Sequence, residues 1–452
     1  MVEKTHRIKF TLFRFLVGAF LFLQTAPAQS SDQLALISDV ETQSYLASVI
    51  KPLYQAAHLS FNENNVFLVK DNTLNAFVSD GNLMFVNTGT LLSINNTNEL
   101  SGILAHETGH IMGGHIVRQK LKMRKMQYLL LGSALAAGAT AVSTGRGDAA
   151  MAVLLGSQSS ALSHMLHYQV QEERSADESA LKLLAKTNQS PAGLLNFMNK
   201  IKKNNMLSGI SETDYFSTHP LTSERISHFS QAASKLKNLS SAHRLDNDLK
   251  LIQAKLSGFL ETPAQIQRRY PQANATLAAQ YAHSILAFRQ GKLTAAINLV
   301  DQLIDKQPKN PYFYELKGQF LFESGRVKES QNFYQKALSL RPETPLFQIM
   351  LAHSILEGSP DNMQLNRAIT LLNKSLVKSP SPLAWQLLAQ AHGEKGNTAM
   401  SLYASAEFNY AIGNLTVAKR LIDNAAQNTA DKTLALKIAD LQQRLKEDLD
   451  EE

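Results

Sequence analysis

The chain has 452 residues, 44% of them hydrophobic, a formal net charge of +7 at pH 7 and no cysteine. That length favours two or three domains, the composition allows a sizeable core in each, and the missing cysteines exclude disulfides, thiolate metal sites and cysteine catalysis. The basic residues form no cluster interleaved with aromatics, so nucleic acid is not expected as a partner.

At the start, Lys4, Arg7, Lys9 and Arg14 precede the apolar run Phe15 to Leu23, and Ala26-Pro27-Ala28 follows. Basic, apolar and small-x-small segments in that order predict a secretory signal peptide over residues 1–28, cut after Ala28. The run is shorter than the roughly 20 apolar residues a spanning helix needs. Its removal takes away four Lys/Arg and one Glu, so the net charge falls from +7 to +4. An exported chain without disulfides suits a bacterial periplasm.

Helical periodicity over Leu34 to Ala57 predicts a first helix. Val66-Phe67-Leu68-Val69 reads as a strand, and Leu74 to Val78 with Leu83 to Val86 reads as a hairpin turning at Asp80-Gly81. Asn96 followed by Glu99 gives a capping-box pattern for a helix expected to reach about Met126. Two Ala/Gly/Leu-rich segments come next, Tyr128 to Val142 and Ala149 to Leu162. They predict a buried or lid-forming helical hairpin, the alternative being contact with a membrane surface or an unfolded client. After about Ser241 the strand signals stop. Gly291-Lys292-Leu293 recurs 34 residues later as Gly325-Arg326-Val327, and Gln307-Pro308 recurs at that distance as Arg341-Pro342. Glycine at a helix–helix turn and proline after the second helix, with that period, resemble the tetratricopeptide repeat. Weaker copies follow at Ala368 to Pro380, Trp385 to Gly396 and Tyr410 to Ala426. Stacked helix pairs of this kind form a solenoid that binds other chains, and the aromatics Tyr312, Phe320, Phe333 and Tyr334 are expected to be core.

The expected helix from Asn96 carries LAHETGHIMGGHIV, Leu104 to Val117. Residues four apart share a helix face, so His106 and His110 can present imidazole nitrogens to one metal ion. Glu107 lies beside them, placed to take a proton from an activated water and pass it to a leaving amine. The bland alternative is a solvated face with several histidines. His115 falls one residue short of the metzincin third-histidine position, which is Ile116. On a continuing helix it would lie about 140° round from His110, so a structural role is expected. Glu173 and Asp177 also share a face, which suits one carboxylate on the metal and one behind a ligand histidine. Glu172 points elsewhere, to solvent.

H-E-x-x-H followed about sixty residues later by E-x-x-A-D resembles the M48 family of gluzincin metalloproteases, as do Asn75-Ala76-Phe77, His219-Pro220 and Arg225. The resemblance implies an α+β gluzincin-type domain over residues 29–240, mostly helical with a small β-sheet, followed by an all-α repeat solenoid over 241–452. It implies one Zn2+ per chain on His106, His110 and Glu173, with Glu107 as general base and Asp177 behind the ligands. Asn75, Ala76 and Phe77 would form an edge strand on which substrate pairs. His219 would stabilise the oxyanion or occupy the fourth zinc position and hold the enzyme off, and Arg225 would orient His219 or an acidic ligand. Read without the family, His219 is as open to a structural role, and Arg225 to a surface ion pair. Signal peptide, protease domain and repeats together resemble exported, repeat-bearing members of the family. That implies degradation of misfolded or stalled outer-membrane β-barrel proteins and help for those assembling. It also implies docking of the repeats on the outer-membrane assembly machinery, and a periplasmic location, peripheral to a membrane. The rival reading is a non-proteolytic repeat chaperone or adaptor with a structural zinc. The intact Glu107 argues against it, since a structural site has no use for a base.

Overall fold

The computed structural model describes residues 34–121, 169–208, 219–236 and 245–451. The expected signal peptide and the apolar hairpin at 128–162 lie outside the described residues. Among the described residues no helix is long and apolar enough to cross a membrane. The chain divides into two compact units, the first ending at Ala282 and the second running from His283 to Glu452.

The first unit begins with β1 (Leu36–Ile37) and α1 (Val40–Ala56). The helix expected from Leu34 therefore starts later. Asp39 caps it, accepting from Thr42 N at 3.0 Å, and the residues ahead of that cap pair antiparallel with β2 (Val66–Val69). A side-chain cap fixes where a helix starts, and the apolar residues before it are used by the sheet. The expected hairpin is present as β3 (Ala76–Ser79) and β4 (Leu83–Asn87), antiparallel, with Gly81 at φ 74° in the connection. Strand order is β1-β2-β4-β3, with β2 and β4 parallel, so β3 is an edge. Along β3, Ala76 and Val78 are buried, and Phe77 on the other face stacks on Phe85 at 4.9 Å between ring centroids.

After α2 (Thr88–Ser93) comes α3 (Thr97–Met112), buried all the way from Thr97 to His110. Half of its capping box forms. Asn96 accepts from Glu99 N at 3.0 Å, but the Glu99 carboxylate accepts from Asn95 N and meets Lys200 at 3.1 Å. The helix stops at Met112 rather than near Met126, because Gly114 takes a left-handed φ of 59° and the chain turns before residues 115–121 become helical again. Residues 169–186 form α4, followed by α5 (Ala192–Ser208) and α6 (Ser223–Lys235). Helix α7 (Asp246–Leu260) also belongs to this unit. Its buried Lys255 meets Asp39 and lies 3.4 Å from Glu41, whose Oε2 accepts from Tyr281 Oη at 2.7 Å.

The second unit is a helical repeat array. Helix pairs include Pro311–Glu323 with Val327–Leu340, Pro345–Leu356 with Asn362–Lys378, and Pro382–Glu394 with Thr398–Ala411. Helices pack mainly on their sequence neighbours, as a stacked repeat requires. Gly291 and Gly325 adopt φ of 74° and 80° at equivalent turns, which explains the glycine at that period, since other residues are strained there. Phe320 and Tyr334 are buried core, while Tyr312 and Phe333 are half-buried beneath Arg341 and Lys317.

Candidate metal centre

Three elements bring the site together. Helix α3 supplies His106, Glu107 and His110, all buried. One helical turn separates the two imidazoles, whose Nε2 atoms face each other at 3.1 Å. Helix α4 supplies Glu173 and Asp177, again one turn apart. The two helices approach closely at Gly109, where an added Cβ would lie 2.6 Å from the Ala176 carbonyl oxygen. Only glycine admits that approach without a shift. It puts Glu173 Oε2 3.3 Å from His106 Nε2 and Glu173 Oε1 3.3 Å from His110 Nε2. The third element is the segment entering α6. His219 Nδ1 lies 2.9 Å from Glu173 Oε1, and its Nε2 is 3.6 Å from Glu107 Oε1.

Behind this group stands Asp177, with Oδ1 2.9 Å from His106 Nδ1. Arg225 closes the rear as a buried fork. Its Nε and Nη2 donate to Asp177 Oδ2 and Oδ1 at 2.7 and 2.9 Å, and its Nη1 donates to the Pro220 carbonyl at 2.9 Å and pairs with Glu173 Oε2 at the same distance. Arg225 is thus no surface ion pair; it is 7% exposed and faces two carboxylates. Glu172, by contrast, is outside the cluster and half-buried.

The electrostatics follow from burial against local charge. Burial disfavours a charged His106, but Asp177 and Glu173 outweigh it and push the imidazole up to about 10. Burial holds His110 and His219 below the ordinary histidine value. Glu107 is pushed up to about 7 by burial, against the pull of His110 and His106. Burial also opposes charge on Glu173 and Asp177. His106 reverses that for both, joined by His110 and His219 at Glu173 and by Arg225 at Asp177, so both carboxyls sit below their usual range.

His106, His110, Glu173 and His219 each offer a ligand atom, all within 4.8 Å of one another. These residues fit a metal ion. Two imidazole nitrogens in contact repel unless a cation or proton lies between them, and three imidazoles with one carboxylate form the donor set of a four-coordinate zinc. Glu107 Oε1 is buried beside them with no hydrogen-bond partner. Asn75, Ala76 and Phe77 are not in the cluster. Ala76 and Phe77 lie on β3, which packs on α3, and the Asn75 carbonyl accepts from Asn87 N at 3.0 Å and Thr90 Oγ1 at 2.7 Å. Two features escaped the sequence reading. One is the closeness enforced at Gly109, for which a glycine between the two ligands is a weak sign. The other is His115, whose Nδ1 returns to 2.9 Å from His110 Nδ1; the Gly113-Gly114 pair was its signal, as a helix stop.

Helix, sheet edge and buried ligand cluster are the working parts of a metalloprotease. Residues 41–233 match peptidase family M48, and residues 281–345 match a tetratricopeptide repeat. The protein is a metalloprotease carrying an M48 domain followed by tetratricopeptide repeats. It is similar to the beta-barrel assembly-enhancing protease of Yersinia pestis, 25% identical over 80% of this chain and 74% of that protein. The protein of the same name from Escherichia coli (strain K12) is 24% identical over 86% of this chain and 80% of its own length. Metalloprotease LoiP of that organism is 28% identical over 36% of this chain and 59% of LoiP.

Proposed function

We propose that the chain is a periplasmic zinc endopeptidase that removes misfolded or stalled outer-membrane β-barrel proteins and aids the assembly of others. The observation that carries the reading is the buried Glu107 Oε1, without a hydrogen-bond partner, beside the four-residue candidate ligand cluster. His106, His110 and Glu173 would hold one zinc ion, with His219 at the fourth position in the resting enzyme. Zinc there supplies Lewis-acid polarisation of the scissile carbonyl and acidifies a water beside it. Glu107 accepts the water's proton at Oε1 and returns it to the leaving amine. Asp177 orients His106, and Arg225 holds Asp177 ionised behind the ligands while pairing with Glu173. His219, between Glu173 and Glu107, blocks the space a substrate carbonyl needs and must move for cleavage. Substrate pairs along the edge that β3 presents among the described residues, with Ala76 and Phe77 on the strand and Asn75 just ahead of it, which selects extended chain over a sharp sequence motif. The names of the similar proteins support the client class, and the repeats would dock clients or their assembly machinery from a position peripheral to a membrane.

The test is metal content and cleavage of an unfolded outer-membrane β-barrel protein by three forms lacking residues 1–28. Wild type and both variants, Glu107→Gln and His219→Ala, should retain about one zinc per chain. Cleavage should fall by about 10²- to 10⁴-fold in Glu107→Gln and rise in His219→Ala. If Glu107→Gln degrades the client like wild type, the non-proteolytic adaptor with a structural zinc replaces this reading.

A further inference from the structure

We infer that His115 is a positioning residue for His110: its unprotonated Nδ1 accepts the Nδ1–H of His110 and so keeps the Nε2 lone pair of His110 aimed into the cluster. The inference rests on the reading that His110 is a metal ligand, and it assigns a partner that the spacing of the motif hides.

His110 has one nitrogen on each side of its ring. Nε2 is 3.1 Å from His106 Nε2 and 3.3 Å from Glu173 Oε1, so it is the nitrogen that faces the ligand cluster. A neutral imidazole with a free lone pair at Nε2 must carry its proton on Nδ1. That nitrogen is 2.9 Å from His115 Nδ1. With the His110 proton between them, His115 Nδ1 can only accept, and the His115 proton then belongs on Nε2. The rings meet edge-on, with centroids 4.9 Å apart and planes at 80°. This is hydrogen-bonding geometry rather than stacking. His115 is itself buried, so water cannot take over the role cheaply.

The backbone is shaped for this contact. On an uninterrupted helix His115 would lie about 140° round the axis from His110. Instead α3 ends at Met112, Gly114 takes a φ of 59°, and the ring folds back over Gly113. A Cβ at position 113 would lie 2.2 Å from His115 Nε2, so a side chain there would displace the ring. The two metal-facing histidines of α3 therefore have different partners at their outer nitrogens. His106 meets the Asp177 carboxylate, and His110 meets a neutral imidazole. Glu107, Glu173 and Asp177 already place three carboxyls in and behind the cluster. An imidazole at 115 fixes the tautomer of His110 without adding a fourth.

The test compares wild type, His115→Asn and His115→Phe in the full chain, by zinc affinity in chelator competition without substrate. An asparagine Oδ1 reproduces an acceptor near the Nδ1 position, whereas phenylalanine fills the space and accepts nothing. The Phe variant should lose about 10- to 100-fold in affinity, and the Asn variant should recover most of it. In proton–nitrogen spectra the zinc-loaded wild type should show a slowly exchanging His110 Nδ1 proton that is lost in the Phe variant. Zinc binding by the Phe variant equal to wild type, or equal losses in both variants, would overturn the inference while leaving the metal site standing. If wild type itself takes up no zinc, the proposed function falls and this inference with it.

Discussion

Arg225 offers a direct measure of how much charge the centre stores. Arg225→Met keeps most of the side-chain volume and removes the guanidinium that faces both Asp177 and Glu173. Four contacts of 2.7–2.9 Å are lost at once, to two carboxylate oxygens of Asp177, one of Glu173 and the Pro220 carbonyl. Breaking a buried ion pair by removing one partner costs about 3–5 kcal/mol, and a fork between two carboxylates belongs at the upper end. For a unit of this size about 1 kcal/mol moves the melting temperature by roughly 2–4 °C. The metal-free variant should therefore melt about 10–15 °C below wild type, followed by circular dichroism in excess chelator. Zinc places a second positive charge against Glu173, so in zinc-saturated protein the gap should shrink by about half. A gap of under about 2 °C in chelator, or the same gap with and without zinc, would refute the reasoning.

Two further outcomes follow from close packing and from burial. Gly109→Ala must push α4 back from its 2.6 Å approach to α3. It should destabilise the unit by about 1–3 kcal/mol and weaken zinc binding at least about tenfold, read by calorimetric titration; wild-type affinity would show that the approach is not needed. Glu41, on α1, is pushed up to about 7 by burial against the pull of Lys255. Its folded value exceeds its unfolded one, so its contribution is complete below about pH 4.3 and is lost as pH rises through about 7. Glu41→Gln stays neutral and still accepts from Tyr281. It should match wild type at pH 4 and gain on the order of 3–4 kcal/mol by pH 8, measured from denaturant midpoints. An advantage that does not vary with pH would contradict the assignment.

What could be read in the sequence was what obeys a period. The spacing of His106, His110, Glu173 and Asp177 put each pair on one helix face, and the glycines at 291 and 325 marked turns that need a left-handed backbone. What could not be read depended on contacts distant in sequence or on a single dihedral. Leu34 and Leu36 continue the helical pattern of α1, yet Leu36 and Ile37 pair with Val69 and Leu68, because sheet pairing overrides a local period. Ile116, Val117 and Leu121 likewise carry a helical pattern through Gly113-Gly114, which masked the stop at Met112 and with it the return of His115. Arg225 looked equally suited to the surface. Its burial is decided by Asp177, 48 residues away.

The belt joining Asp39 and Glu41 to Lys255 and Tyr281 bears on how the molecule is made. A chain leaves a ribosome or a membrane pore with its N-terminus first, so α1 emerges 216 residues before the lysine that Asp39 meets and 240 before the tyrosine that bonds Glu41. Until then, docking α1 would bury two carboxyl groups without their partners, at a cost that keeps it undocked. Every residue of the candidate metal cluster is out earlier, by position 225, whereas the partners of the two α1 carboxyls follow only at residues 255 and 281. The contacts that fix α1 thus become available only after residue 281, later than every side chain of the candidate centre.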